Sequence, residues 1–121
     1  MNEKILVAVE DLFFLAKIQH AAQQAGVPVD PVELSKVQDR LQTSPARAVI
    51  LDLNHRSGRA VETAQAIKAD PATNHVLVLG FLSHVQGDLA REARLAGCDQ
   101  ILARSAFSRE LPQCLLNLAG R

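Results

Sequence analysis

Apolar residues recur along this chain in two alternating rhythms. Lys4–Val9 (KILVAV), Arg47–Leu53 (RAVILDL) and Val76–Leu82 (VLVLGFL) are short, nearly continuous aliphatic runs. Such runs mark strands buried on both faces. Between them the spacing changes to three and four. Asp11–Ala25 carries Leu12, Leu15, Ile18, Ala22 and Ala25 on one stripe and stops at Gly26, which predicts a helix with a C-terminal cap. Pro28–Glu33 predicts a weaker second strand. Pro31 cannot donate to a ladder, so that strand belongs at a sheet edge. Helices are predicted over Leu34–Thr43, Gly58–Ala69 and Val85–Ala96, stopped before Pro45, at Asp70-Pro71 and at Gly97. Gln100–Ala103 is a short last strand. Phe107–Leu118 closes the chain as a fifth helix, with Leu111, Cys114, Leu115 and Leu118 on one stripe.

Five β–α units in succession imply an α/β fold, a doubly wound parallel sheet with helices on both faces. An edge position for the second strand suits the flavodoxin-like order 2-1-3-4-5. In such a sheet ligands bind beyond the carboxyl ends of the strands, at the switch point between the first and third. Those ends carry Glu10 and Asp11, then Asp52, Leu53 and Asn54, then Leu82 and Ser83, and finally Arg104.

Bulk composition narrows the partners. The 121 residues suit one domain, 1–121. Thirteen acidic and thirteen basic side chains cancel. That balance offers no electrostatic basis for binding nucleic acid or a membrane surface. The apolar run before Glu10 is too short for a leader or a span, so the cytoplasm is the expected location. Cys98 and Cys114 lack zinc-ligand spacing and read as reduced, partly buried thiols.

Three segments, in order and in spacing, resemble the receiver domains of response regulators in two-component signalling. KILVAVEDLFFLAKIQHAAQQAG matches the family's opening strand and helix. ILDL at 50–53 matches the strand that ends in the phosphoacceptor aspartate, and LAGCDQILAR at 95–104 matches the segment that ends in its lysine. The resemblance covers nearly the whole chain. It implies a CheY-like fold, with Asp52 at the phosphoacceptor position. In that chemistry two acidic residues help hold Mg²⁺, while a hydroxyl and a lysine bind phosphoryl oxygens.

Residue by residue, the match departs from that set. The first acidic position falls on Val9 and the second on Glu10, with Asp11 beside it. Glu10, Asp11, Asp52 and Asn54 are the oxygens left for a metal, so Mg²⁺ is expected to bind weakly if at all, and no cofactor is certain. The hydroxyl position falls on Leu82, with Ser83 adjacent. The lysine position falls on Arg104, a planar fork where the family has a compact ammonium. The aromatic switch position falls on Ile101.

Simpler roles compete. Asp11 also suits a helix N-terminus, and Arg104 suits an ion pair with Asp52. His55, Arg56 and Arg59 read as a solvated loop, and His20, His75 and His84 as surface histidines. Phe13, Phe14, Phe81 and Phe107 read as packing residues, with Phe13-Phe14 an alternative partner contact.

Three functions are consistent with these residues. The first is a pseudo-receiver, a non-enzymatic module that acts through protein–protein contacts, with phosphotransfer at Asp52 weak or absent. The second is an atypical working receiver, phosphorylated on Asp52 by a histidine kinase. The third is a small-ligand binder on a flavodoxin-like fold. EDLFFLAK is not a flavin phosphate loop, and the Asp52–His55 spacing is one residue too long for a cobalamin motif. The expected partner is a histidine kinase or a downstream signalling protein. A homodimer through the fifth helix is a further expectation, because its leucines wrap more than one face.

Overall fold

The strands carry side chains with a period of two, and each face of the sheet has its own core. In the computed structural model, which describes residues 4–83 and 87–121, five parallel strands stand in the order β2-β1-β3-β4-β5. They are β1 (Ile5–Ala8), β2 (Val29–Pro31), β3 (Ala48–Asp52), β4 (Leu77–Leu82) and β5 (Gln100–Ala103). The helices are α1 (Leu12–Ala25), α2 (Val37–Thr43, entered through a 3₁₀ turn at Leu34–Lys36), α3 (Ala60–Ala69), α4 (Gly87–Leu95), α5 (Arg104–Arg109) and α6 (Leu111–Leu118). This is the architecture expected from the alternation. Val85 and His84 lie outside the described residues.

Ile5, Val7, Ile50, Leu79 and Phe81 face one way, onto Phe14, Ile18 and Ala22 of α1, Phe107 of α5, and Leu111, Leu115 and Leu118 of α6. Leu6, Ala8, Val49, Leu51 and Val78 face the other way, onto Val37 and Leu41 of α2, Ala60, Ala64 and Ile67 of α3, and Ala93 of α4. Because the strands are buried on both sides, they read as continuous apolar runs rather than alternating ones. Pro31 lies opposite Val7 on β2, which pairs with β1 alone, so its missing N–H leaves no ladder bond unmade. Gly80 of β4 has a packing role: a β-carbon there would lie 2.9 Å from the Leu53 side chain.

The predicted fifth helix needs two corrections. It begins at Arg104, three residues early, and breaks at Glu110 (φ −111°, ψ 24°) into α5 and α6. Pro112 is the cause. Its ring obstructs the carbonyl four residues back and it has no N–H to give, but it is accommodated in the first turn of a new helix. Nor is α6 apolar on an open face. Leu111, Cys114, Leu115 and Leu118 are buried, Leu116 is half-buried against the same core, and Pro112, Gln113 and Asn117 face solvent. Its leucines complete this chain's own core, which removes the reason for expecting a homodimer through this helix.

Leu115→Ala should lower the unfolding free energy by about 2–5 kcal/mol, since it empties a fully buried site among α1, α6 and the sheet. Urea denaturation monitored by far-UV circular dichroism gives the value.

Candidate functional site

Parallel register brings the strand ends to one edge. Ala8 lies beside Leu51, Asp52 beside Phe81, and Leu82 beside Ala103. Glu10, Asp11, Asp52, Asn54, Ser83 and Arg104 therefore emerge together, as anticipated.

Asp11 has the most engaged carboxylate. As the N-cap of α1 it accepts hydrogen bonds through Oδ1 from the backbone N–H of Phe13 (3.0 Å) and Phe14 (3.1 Å), which satisfies two of the helix's unpaired donors. Its Oδ2 accepts from Arg104 Nη2 at 2.6 Å. The Arg104 bond, followed by the Phe14 N–H, holds the carboxyl below its usual range. Arg104 also lies over the Phe14 ring, 4.3 Å from its centroid, in cation–π contact. Phe14 in turn packs on Phe81 (5.1 Å between centroids) and Phe107 (5.9 Å). Arg104 was expected to pair with Asp52, and the structure corrects the partner to Asp11. The helix cap fixes that carboxylate in place, and an aromatic face lies beneath the guanidinium. Phe13 and Phe14 also separate: Phe14 is buried, while Phe13 is 91% exposed.

Asp52 is half-buried at the end of β3. Its Oδ1 accepts from the Asn54 N–H at 2.9 Å, which closes a tight turn. Burial is the largest influence on this carboxyl and pushes its pKa up. The Asn54 bond and the charges of Arg104 and His55 oppose that rise, and Glu10 adds to it. Asn54 Oδ1 accepts from the Ser83 N–H at 2.7 Å and so ties the loop after β3 to the end of β4.

His55 is not the solvated residue expected from its loop. Its side chain is 11% exposed and its Nε2 lies 3.4 Å from Glu10 Oε1. Its Nδ1 lies 2.9 Å from Ser57 Oγ and 3.2 Å from the Ser57 backbone nitrogen, so both ring nitrogens have partners. Arg56 and Arg59 are exposed, as expected, and so are His20 and His75.

Apolar side chains occupy the remaining family positions. Val9 is 8% exposed and packs with Phe14 and Phe81 in the core on the α1 side of the sheet. Leu82 is buried on the opposite face, and half-buried Ile101 packs into the same cluster. Ser83 is exposed. The oxygens that the resemblance would assign to Mg²⁺ are partly committed elsewhere. Val9 offers none, both Asp11 oxygens are engaged, and Glu10 faces His55. Among the described residues no three His, Cys, Asp or Glu side chains come together as metal ligands would. Sequence reasoning missed the Asp11–Arg104 and Glu10–His55 pairs. Only the capping signal at Asp11 was visible in advance.

The two carboxylates should have opposite pH signatures. A raised pKa means that native Asp52 binds its proton more tightly than the unfolded chain does. Wild-type stability then falls as pH rises from the usual value of 3.8 through the raised pKa. Asp52→Asn should therefore raise Tm by a few degrees at neutral pH, with the gain disappearing below 3.8. Asp11 is the reverse case: its contribution is present above 3.8 and is lost as pH falls through the lowered pKa. Asp11→Asn keeps a capping side chain but should lower Tm at neutral pH, the deficit closing in acid. Thermal melts of the three proteins across this pH range test both signs.

No family model matches the sequence, and no curated protein sequence does. Solved structures do match. A putative response regulator from Chloroflexus aurantiacus superposes with a TM-score of 0.87 at 16% identity, covering 100% of both chains. The phosphorylated cyanobacterial phytochrome response regulator RcpA gives 0.82 at 20% identity, covering 98% of this chain and 91% of its own. The Mn²⁺-bound form of response regulator Rcp1 gives 0.76 at 16%, covering 95% and 90%. With the strand order and the register of the strand ends, these likenesses establish that the chain has the CheY-like fold of response-regulator receiver domains.

Proposed function

We propose that the chain is a receiver-like signalling module that works through protein–protein contacts, without enzymatic turnover, and in which phosphotransfer at Asp52 is weak or absent. The observation that carries this reading is the Asp11–Arg104 pair at 2.6 Å. It engages the cation that would otherwise meet a phosphoryl group and a carboxylate that would otherwise help hold Mg²⁺. Buried Val9 and Leu82 support the same reading, because neither offers an oxygen or a hydrogen bond. Mg²⁺ binding is accordingly weak. A protein partner, either a histidine kinase or a downstream signalling protein, is favoured by Leu12 and Phe13. They are 76% and 91% exposed beside the site, an apolar pair of the kind that marks contact surfaces. No helix among the described residues is long and apolar enough to cross a membrane, and the balanced charge favours neither a membrane surface nor nucleic acid. We place the module in the cytoplasm.

A second reading has its own support. Asp52 keeps its carboxylate at the strand end, and two structures of the same fold were solved phosphorylated and Mn²⁺-bound. An atypical receiver phosphorylated on Asp52 by a histidine kinase would use that group.

Incubation with acetyl phosphate and Mg²⁺, followed by intact-protein mass spectrometry, separates the two. The expected result is an unmodified mass. A labile phosphoryl adduct that Asp52→Asn abolishes would establish the second reading. Calorimetric titration should show no Mg²⁺ binding in the millimolar range or tighter for the wild type, and Val9→Asp should strengthen it.

A further inference from the structure

One cavity has no role in either reading. A cleft of about 910 Å³ lies beside the carboxyl ends of β1 and β2, between the turn that enters α2 and the first turns of α3. Its volume is that of a small-molecule site, and it opens at the end of the sheet where α/β folds place ligands. Ala8 and Val9, Val32 and Leu34, and the exposed Leu12 give it an apolar lining. Carboxylates are set around this lining: Glu10, Glu33 and Glu62.

The charges do not cancel. Among the described residues Arg59 is the one guanidinium that lines the cleft, 3.2 Å from Glu62, and both side chains of that pair are about two-thirds exposed (71% and 66%). An exposed pair of this kind is weak. His55 faces Glu10 at 3.4 Å, and even counted as a cation it leaves the carboxylates in excess. Glu33 has no ion-pair partner among the described residues. Three carboxylates against one guanidinium and one imidazole leave a negative surplus in either state of His55, and low-dielectric walls focus its field into the cleft.

We propose that this cleft binds a small organic cation, a protonated amine on an apolar body. The ammonium would meet the carboxylates that rim the cleft singly, Glu33 first, and the body would lie on Val9, Val32 and Leu34. The carboxylates disfavour nucleotides and other anions. A bare divalent ion has no converging ligand set among the described residues, and it would leave the apolar lining wet. Glu10 and His55 belong to the segments after β1 and β3, so the occupant would touch the same loops that carry Asp11 and Asp52. The module would thereby accept an input other than a phosphoryl group. This holds whether or not Asp52 is phosphorylated.

The test is titration of ¹⁵N-labelled protein with hexylammonium, hexanoate and ethylammonium, followed by amide chemical shifts. Hexylammonium should give saturable shifts confined to residues 31–38 and 55–66 and the end of β1. Hexanoate should give none there, and ethylammonium should bind at least about tenfold more weakly, having lost most of its apolar body. Glu33→Gln should weaken hexylammonium about threefold. Ala66→Trp, on the exposed side of α3, should fill the cleft and abolish the shifts while the rest of the spectrum stays in place. Three results would overturn the proposal: equal shifts with hexanoate, non-saturable shifts across the surface, or unchanged binding in Ala66→Trp. A leucine- and lysine-bearing peptide that saturates these amides where hexylammonium does not would also overturn it, in favour of a protein segment.

Discussion

Burial of the sheet on both faces is the constraint from which the rest follows. Each core strand sends alternate residues into one of two apolar layers, so no polar side chain is tolerated along its length. Polar chemistry is displaced to the strand ends. Parallel register then carries all the carboxyl ends to one edge, whatever the residues there are. A site of some kind at this edge is a consequence of topology. Its chemistry depends on the few residues that protrude.

Here those residues are largely engaged with one another. Asp11 links the start of α1 to the start of α5 through Arg104, and Arg104 rests on a ring that belongs to the core. Glu10 faces His55, and Asn54 holds the Ser83 N–H. An arginine suits this arrangement better than a lysine, because a planar guanidinium can lie flat on an aromatic face and still direct an N–H edge at a carboxylate. Lysine at 104 would offer a point charge with no such plane. The change at this position and the aromatic residue at Phe14 thus belong to one structural unit. Read as two separate departures from a motif, they would miss that unit.

The fold was legible because its signals are local and redundant. Three apolar runs, the helical spacing between them, Gly26 after α1 and Pro31 on an edge strand each carry the same message. The candidate site was legible only as a set of positions. Asp11 and Arg104 are 93 residues apart, and nothing in a sequence says which carboxylate a guanidinium will choose when Asp11 and Asp52 are both in reach. The choice depends on Phe14 being buried beneath it, which follows from the register of α1 on the sheet. His55 was misread for a similar reason. A loop residue is solvated by default, and this one is covered by contacts with the segment after β1. The length of the closing helix was overread because its apolar periodicity runs through Glu110, although Pro112 should have signalled the break.

The charge on Asp52 is the feature that packing explains least. The turn after β3 needs an acceptor for the Asn54 N–H, and an asparagine would supply one equally well. Asparagine would also carry no charge for burial to penalise. Nor does the carboxylate hold Arg104, which pairs with Asp11. The negative charge therefore opposes stability at neutral pH without a structural return that a neutral side chain could not match. Groups of this kind are retained at sites of function more readily than in scaffolds. In the module proposed above the neighbours of Asp52 do not assist phosphotransfer, while its own charge suits a cation, a phosphoryl group or a partner's basic side chain at this edge of the sheet. The proposed contact surface of the module is for that reason centred on Asp52, with the exposed Leu12 and Phe13 beside it.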